Sequence, residues 1–89
     1  GTLVYGMDAQ LAQAFANYLA VLAAAGFKPS DTVKLTVYVT DAAPATTALY
    51  RAHRDAAMGG HTPASTYLVV SALAHPSFLC EVEGETVAP

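Results

Sequence analysis

Positive charge is scarce in this 89-residue chain: Lys28, Lys34, Arg51 and Arg54 are all the lysines and arginines it has, and the formal net charge is −3. So few cations cannot form a basic patch, which argues against a nucleic-acid partner. Tryptophan is absent and cysteine occurs once, at Cys80. A single thiol excludes an internal disulfide framework and suits a reducing compartment, so a cytoplasmic location is expected. No apolar run approaches the ~20 residues needed to cross a bilayer, no signal-peptide pattern opens the chain, and no membrane partner is expected. Charged residues supply only 12% of the composition, against a usual share of about 25%. Apolar residues supply 54%, which excludes disorder. One globular domain over residues 1–89 is expected, with a surface so poor in charge that something covers part of it.

Periodicity supplies the elements. "GTLVYG" reads as an extended lead-in. Asp8 is a good N-cap, and Leu11, Phe15, Leu19 and Leu22 recur every three or four residues up to Gly26, which predicts a helix over about Ala9 to Ala25. In "TVKLTVYVT", Val33, Leu35, Val37 and Val39 alternate with Lys34, Thr36, Tyr38 and Thr40, a strand with one apolar face. Asp41 and Pro44 announce a second helix, about Ala45 to Met58, stopped by Gly59-Gly60 and amphipathic through Leu49, Ala52, His53 and Ala56. A second strand is expected from about Ser65 to Leu73, with Thr66, Leu68, Val70 and Ala72 on one face and Ser65, Tyr67, Val69 and Ser71 on the other. A third runs from about Phe78 to Val87, with Cys80 and Val82 on its apolar face and Glu81, Glu83 and Glu85 opposite. The order helix, strand, helix, strand, strand implies an α+β sandwich, two helices on one face of a sheet. Its helix-free face would carry Lys34, Thr36, Tyr38, Thr40, Ser65, Tyr67, Ser71 and the three glutamates. Two tyrosines there favour contact with another subunit, or with a missing piece of the same domain, over a wholly solvated face.

Five stretches in order, Gln10 to Asn17, Ala24 to Gly26, Asp31 to Asp41, Pro63 to Thr66 and Glu81 to Gly84, resemble the Rid family, also called YjgF or reactive-intermediate deaminases. The resemblance spans nearly the whole chain. It implies a chorismate-mutase-like fold in a homotrimer, with helix-free sheet faces forming a central barrel and small-molecule sites in clefts between subunits. Family members with deaminase activity hydrolyse imines and enamines to keto acids and ammonia without metal or cofactor. An arginine after "P-A" grips the substrate carboxylate, and a glutamate on the last strand positions the attacking water.

Two departures qualify what the resemblance implies. Ser65 stands at the arginine's position, as in the branch of the family that lacks it. A hydroxyl replaces a permanent, bidentate charge, so the usual 2-imino-acid deaminase activity is not expected. The family's N-terminal strands are also absent from these residues, which leaves a separate chain as one source of them. Glu81 matches the water-positioning glutamate and is the candidate catalytic residue. Ser65, Tyr67 and His61 are the candidate substrate-binding residues. A Ser65/His61/Glu81 triad has no supporting Gly-x-Ser-x-Gly elbow. His53, His61 and His75 lack metal-ligand spacing, so neither metal nor cofactor is expected. Cys80 is expected to be a buried packing residue, and Arg51 and Asp55 an i,i+4 pair. Two functions follow: a trimer hydrolysing an imine, enamine or related reactive intermediate, or a non-catalytic, small-molecule-binding or chaperone-like trimer.

Overall fold

The computed structural model describes residues 5–88, and most of the lead-in expected over residues 1–6 lies outside them. Helix α1 spans Met7–Ala24, a short 3₁₀ turn covers Pro29–Asp31, and strand β1 covers Thr32–Val39. Helix α2 spans Pro44–Met58, followed by strands β2 (Ala64–Val69) and β3 (Cys80–Thr86). The strands form one mixed sheet in the order β2-β1-β3, with β2 parallel and β3 antiparallel to β1. Parallel pairing needs a long crossover, and α2 supplies it. This is the expected α+β sandwich.

Both helices end as their glycines dictate. After Ala25, Gly26 takes a left-handed φ of 81°, its N–H bonds the Ala23 carbonyl at 3.1 Å, and the Phe27 N–H bonds the Leu22 carbonyl at 2.9 Å. That is a Schellman closure, available cheaply only to a residue without Cβ. Gly59 closes α2 with a left-handed φ of 58°. At the starts the outcome differs. Gly6, not Asp8, precedes α1, and no side chain caps it; Asp8 lies in the first turn, and its Oδ1 meets His53 Nε2 of α2 at 2.6 Å. Asp41 works as expected, accepting the Ala43 N–H at 2.9 Å and the Thr46 hydroxyl at 3.0 Å.

The core is one cluster of Leu11 and Phe15 from α1, Leu35, Val37 and Val39 from β1, and Tyr50 from α2. The inner face of α2 is not the expected one. Thr46, Tyr50 and Met58 are buried, while Ala52 and Ala56 are exposed. Alanines mark no face by themselves, and the larger Tyr50 decides the rotation because it has more apolar area to hide. Arg54 pairs with its neighbour Asp55 at 2.9 Å in place of the Arg51–Asp55 pair, and lies 5.3 Å from the Tyr50 ring centroid.

Two strand expectations are corrected. The alternation of β1 holds from Lys34 onward but fails at its start, where Thr32 is fully buried and Val33 is 47% exposed. Pairing with β3 explains it: Thr32 faces Thr86 and Lys34 faces Glu85, so one extra β1 residue lies between. Such a bulge reverses the facing of everything before it. The second correction concerns β2, which ends at Val69 and has its faces exchanged. Its parallel register sets Ser65, Tyr67 and Val69 beside Leu35, Val37 and Val39, so these three point to the helix side. Thr66 and Leu68 align with Thr36 and Tyr38 on the helix-free side, and Lys34 Nζ donates to the Thr66 hydroxyl. Facing in β3 is as expected: Cys80, Val82 and Gly84 sit across from the inward residues of β1, and Glu81, Glu83 and Glu85 from the outward ones.

Candidate functional site

His61, Ser65 and Tyr67 lie on the run from the Gly59-Gly60 turn into β2, but they do not converge. His61 Nε2 lies 2.7 Å from the Thr32 carbonyl oxygen. A carbonyl only accepts, so the proton is on Nε2 and the ring ties the turn to the start of β1. The Ser65 hydroxyl is exposed and donates to the Pro63 carbonyl at 3.3 Å, a weak local bond that leaves it accessible. Tyr67 packs its ring 4.7 Å from that of Tyr50. Its hydroxyl is buried with no hydrogen-bond partner among the described residues.

Glu81 is elsewhere. It is exposed on the helix-free face of β3, opposite Tyr38, at the far edge of the sheet from Ser65. Its neighbourhood is a small polar array. The Tyr38 hydroxyl donates to Glu83 Oε1 at 2.9 Å, and this bond, then slight desolvation and the charges of Glu83 and Glu81, hold the phenol above its ordinary pKa. Beside it a depression of about 190 Å³ is bordered by Lys34, Thr36, Glu83 and Glu85. A Ser65/His61/Glu81 triad is therefore not assembled within one chain: β1 separates Glu81 from the other two, and neither His61 nor Ser65 bonds the other. Among the described residues no three His, Cys, Asp or Glu side chains are grouped to hold a metal ion.

The larger concavity, about 820 Å³, runs between α1 and the outer edge of β3. Gln13, Asn17 and Val21 line its helix wall, Phe78 closes one end, and Cys80 and Glu81 lie on its strand side. Among the described residues that line it there is no lysine, arginine or histidine, so none of them offers a positive charge to a carboxylate. Burial lifts the Cys80 thiol to about 11, which keeps it protonated and unreactive at neutral pH.

Two side chains shape this region without a sequence signal strong enough to single them out. Gln10 is buried; its Nε2 donates to the Ser77 carbonyl at 2.9 Å and its Oε1 accepts the Leu79 N–H at 2.7 Å. The amide thereby fixes the loop that leads into Cys80 and Glu81. Tyr18 crosses Gly84, where an added Cβ would lie 2.6 Å from the ring carbon Cζ, and its hydroxyl pairs with that of Thr32 at 2.8 Å. An amide and a phenol on an amphipathic helix look like ordinary boundary residues until their partners are known.

Two helices laid on one face of a mixed three-stranded sheet, with an acidic last strand beyond them, define an α+β domain of the Rid/YjgF type. The family model for Endoribonuclease L-PSP matches residues 1–88, and the chain belongs to that family. Among solved structures it is similar to YyfB, a Rid-family protein of unknown function from Yersinia pestis, at 40% identity over 94% of this chain and 65% of that one, with a TM-score of 0.86. A putative endoribonuclease from Thermotoga maritima aligns at 28% identity over all of this chain and 68% of its own, with a TM-score of 0.88. RidA from an Antarctic Psychrobacter gives 31% identity, 93% and 65% coverage and a TM-score of 0.83. The chain thus spans about two thirds of the length of these relatives. Nothing among curated proteins matches it. Among the described residues no helix is long and apolar enough to cross a membrane.

Proposed function

We propose that the chain works as a Rid-type homotrimer in the cytoplasm that binds a small metabolite between subunits and hydrolyses an imine, enamine or related reactive intermediate. Glu81 holds and deprotonates the attacking water, and Ser65, Tyr67 and His61 border the cleft on the neighbouring copy. The observation that carries this reading is the placement of Ser65 and Glu81 on opposite edges of one sheet. One copy cannot join them, whereas two copies side by side can. The helix-free face gives further support, since Leu68 is 43% exposed there among polar groups and gains by being covered.

Hydrolysis at such a site needs a water held by a carboxylate and an iminium carbon as electrophile. Water adds to the C=N carbon while Glu81 takes its proton. Collapse of the carbinolamine then expels ammonia, with the proton returned to nitrogen. Ser65 offers one neutral hydroxyl where relatives with arginine hold a carboxylate, so substrates without a carboxylate fit better. Glu81→Gln should abolish ammonia release from enzymatically generated imines while leaving the trimer intact by light scattering; unchanged turnover would remove Glu81 from the mechanism. A non-catalytic, metabolite-binding or chaperone-like trimer is the second reading, favoured by the absence of any cation among the described residues that line the larger cleft. It expects no turnover with any imine, and carboxylate binding gained by Ser65→Arg. The acidic strand disfavours RNA, so an endoribonuclease role draws no support from this surface.

A further inference from the structure

The pattern of β3 is nearly unchanged by a slip of two residues. Cys80, Val82 and Gly84 face the helices, and Glu81, Glu83 and Glu85 face away. A slip of one residue against β1 would turn the glutamates toward the core, at a large burial cost. A slip of two keeps every facing and moves each carboxylate about 7 Å along the sheet. The loop over residues 70–79, which joins β2 to β3, is long enough to supply or take up two residues. Alternation therefore fixes which way the glutamates face. It does not fix which of them stands opposite Tyr38, the place that Glu81 holds.

Helix α1 breaks the tie at two points along the strand. At its entry, the Leu79 N–H donates to Gln10 Oε1 at 2.7 Å, while Gln10 Nε2 donates to the Ser77 carbonyl at 2.9 Å. The Leu79 carbonyl accepts the Thr40 N–H at 3.0 Å and the Thr40 hydroxyl at 3.3 Å. Both backbone groups of Leu79 are thus held, two residues before Glu81. Further along, Tyr18 crosses β3 at Gly84, which lies opposite Leu35, and the fully buried Thr32 holds the phenol hydroxyl at 2.8 Å. Sliding β3 until Glu83 faces Tyr38 would bring Thr86 under that ring, and the reverse slide would bring Val82. Either residue carries a Cβ where one added to Gly84 lies 2.6 Å from the ring carbon Cζ. We propose that Gln10, Tyr18 and Gly84 form a register lock that selects Glu81, from three like residues, as the carboxylate opposite Tyr38. Gln10 and Tyr18 are then positioning residues: they touch no substrate and determine which carboxylate meets it. The catalytic consequence rests on the reading of Glu81 given above, whereas the lock itself does not.

Cross-strand nuclear Overhauser contacts read the register directly, and imine turnover reads its consequence. The native chain should show Tyr38 beside Glu81. Gln10→Leu removes both bonds of the amide and should shift the balance toward the slipped register roughly 5- to 30-fold. Combining it with Gly84→Val and Thr86→Gly moves the gap under Tyr18 by two residues, and Tyr38 should then meet Glu83. In that variant Glu83→Gln should abolish ammonia release and Glu81→Gln should spare it, the reverse of the native chain. If bulk at position 84 prevents folding, Gln10→Leu with Tyr18→Leu adds none, and it should show both sets of contacts at once. Contacts that stay with Glu81 alone would overturn the lock. Turnover that still needs Glu81 after the contacts have moved would overturn the positioning role. Contacts that move as expected in chains that hydrolyse no imine, the native one included, would uphold the lock and remove the catalytic reading of Glu81 instead.

Discussion

Strand β1 separates two unlike regions that are one peptide unit apart. On its inner side Leu35, Val37 and Val39 are fully buried against both helices. On its outer side Lys34, Thr36 and Tyr38 meet hydroxyls and carboxylates from the neighbouring strands. The inner side holds the fold through close packing that tolerates little change. The outer side holds polar groups that reach exposed partners and so can change without unfolding the chain. A function that must diversify within one fold is therefore better placed on the outer side.

The largest expected effect tests this division directly. Leu35→Ala should cost about 2–5 kcal/mol, enough to unfold much of a domain whose total stability is of the order of 5–15 kcal/mol. Thr36→Ala, the next residue, should stay within about 0.5 kcal/mol. Urea denaturation of both variants gives the comparison, and equal losses would break it. A smaller effect is expected where the inner side is tightest. Gly84→Ala forces a methyl group into the Tyr18 ring and should lose about 1–3 kcal/mol. In a double-mutant cycle with Tyr18→Leu, the loss should shrink, because the ring is what the methyl group meets.

These positions also show what the sequence could reveal. β1 was legible because its apolar and polar residues alternate strictly from Lys34 to Thr40, and β3 because its glutamates recur at every second place. β2 was not. In "ASTYLV" both faces carry mixed polar and apolar residues, so the pattern has no inside, and the parallel register with β1 settles the matter by setting Tyr67 beside Val37. The bulge before Lys34 was hidden for a similar reason, since Val33 is the apolar residue that alternation would bury. At the candidate site, the facing of Glu81 was legible while its separation from Ser65 was not. Distance across a sheet depends on strand order, and β1 lies between strands adjacent in sequence.

Tyr67 sharpens the comparison further. It was expected on the outer side, where a phenol would find partners. On the inner side its hydroxyl has none among the described residues. Removing an unsatisfied buried hydroxyl relieves a desolvation penalty, so Tyr67→Phe should leave stability unchanged or raise it by up to about 1 kcal/mol. A loss comparable to that of Gly84→Ala, read from the urea midpoint, would place the hydroxyl in a bond and its strand face outward.

The smallest effect belongs to the outer side and is read by titration. The neutral Tyr38 phenol is a donor to Glu83, and its pKa is raised above 10.0 in the folded chain, first by that bond. Folding therefore favours the protonated phenol. The corresponding stability is fully present below the unfolded pKa of 10.0 and is lost as pH climbs from there through the folded value. Because the phenol is exposed, solvent screens the effect and the change in stability is slight. Ultraviolet titration, taken as the difference between the protein and Tyr38→Phe, should find this phenol ionising above pH 10, and Glu83→Gln should bring it back toward its ordinary value by removing the carboxylate acceptor and its charge. If Glu83→Gln leaves the titration where it was, the Tyr38–Glu83 bond does not order the outer side, and the polar array around Glu81 loses the contact that ties β1 to β3 there.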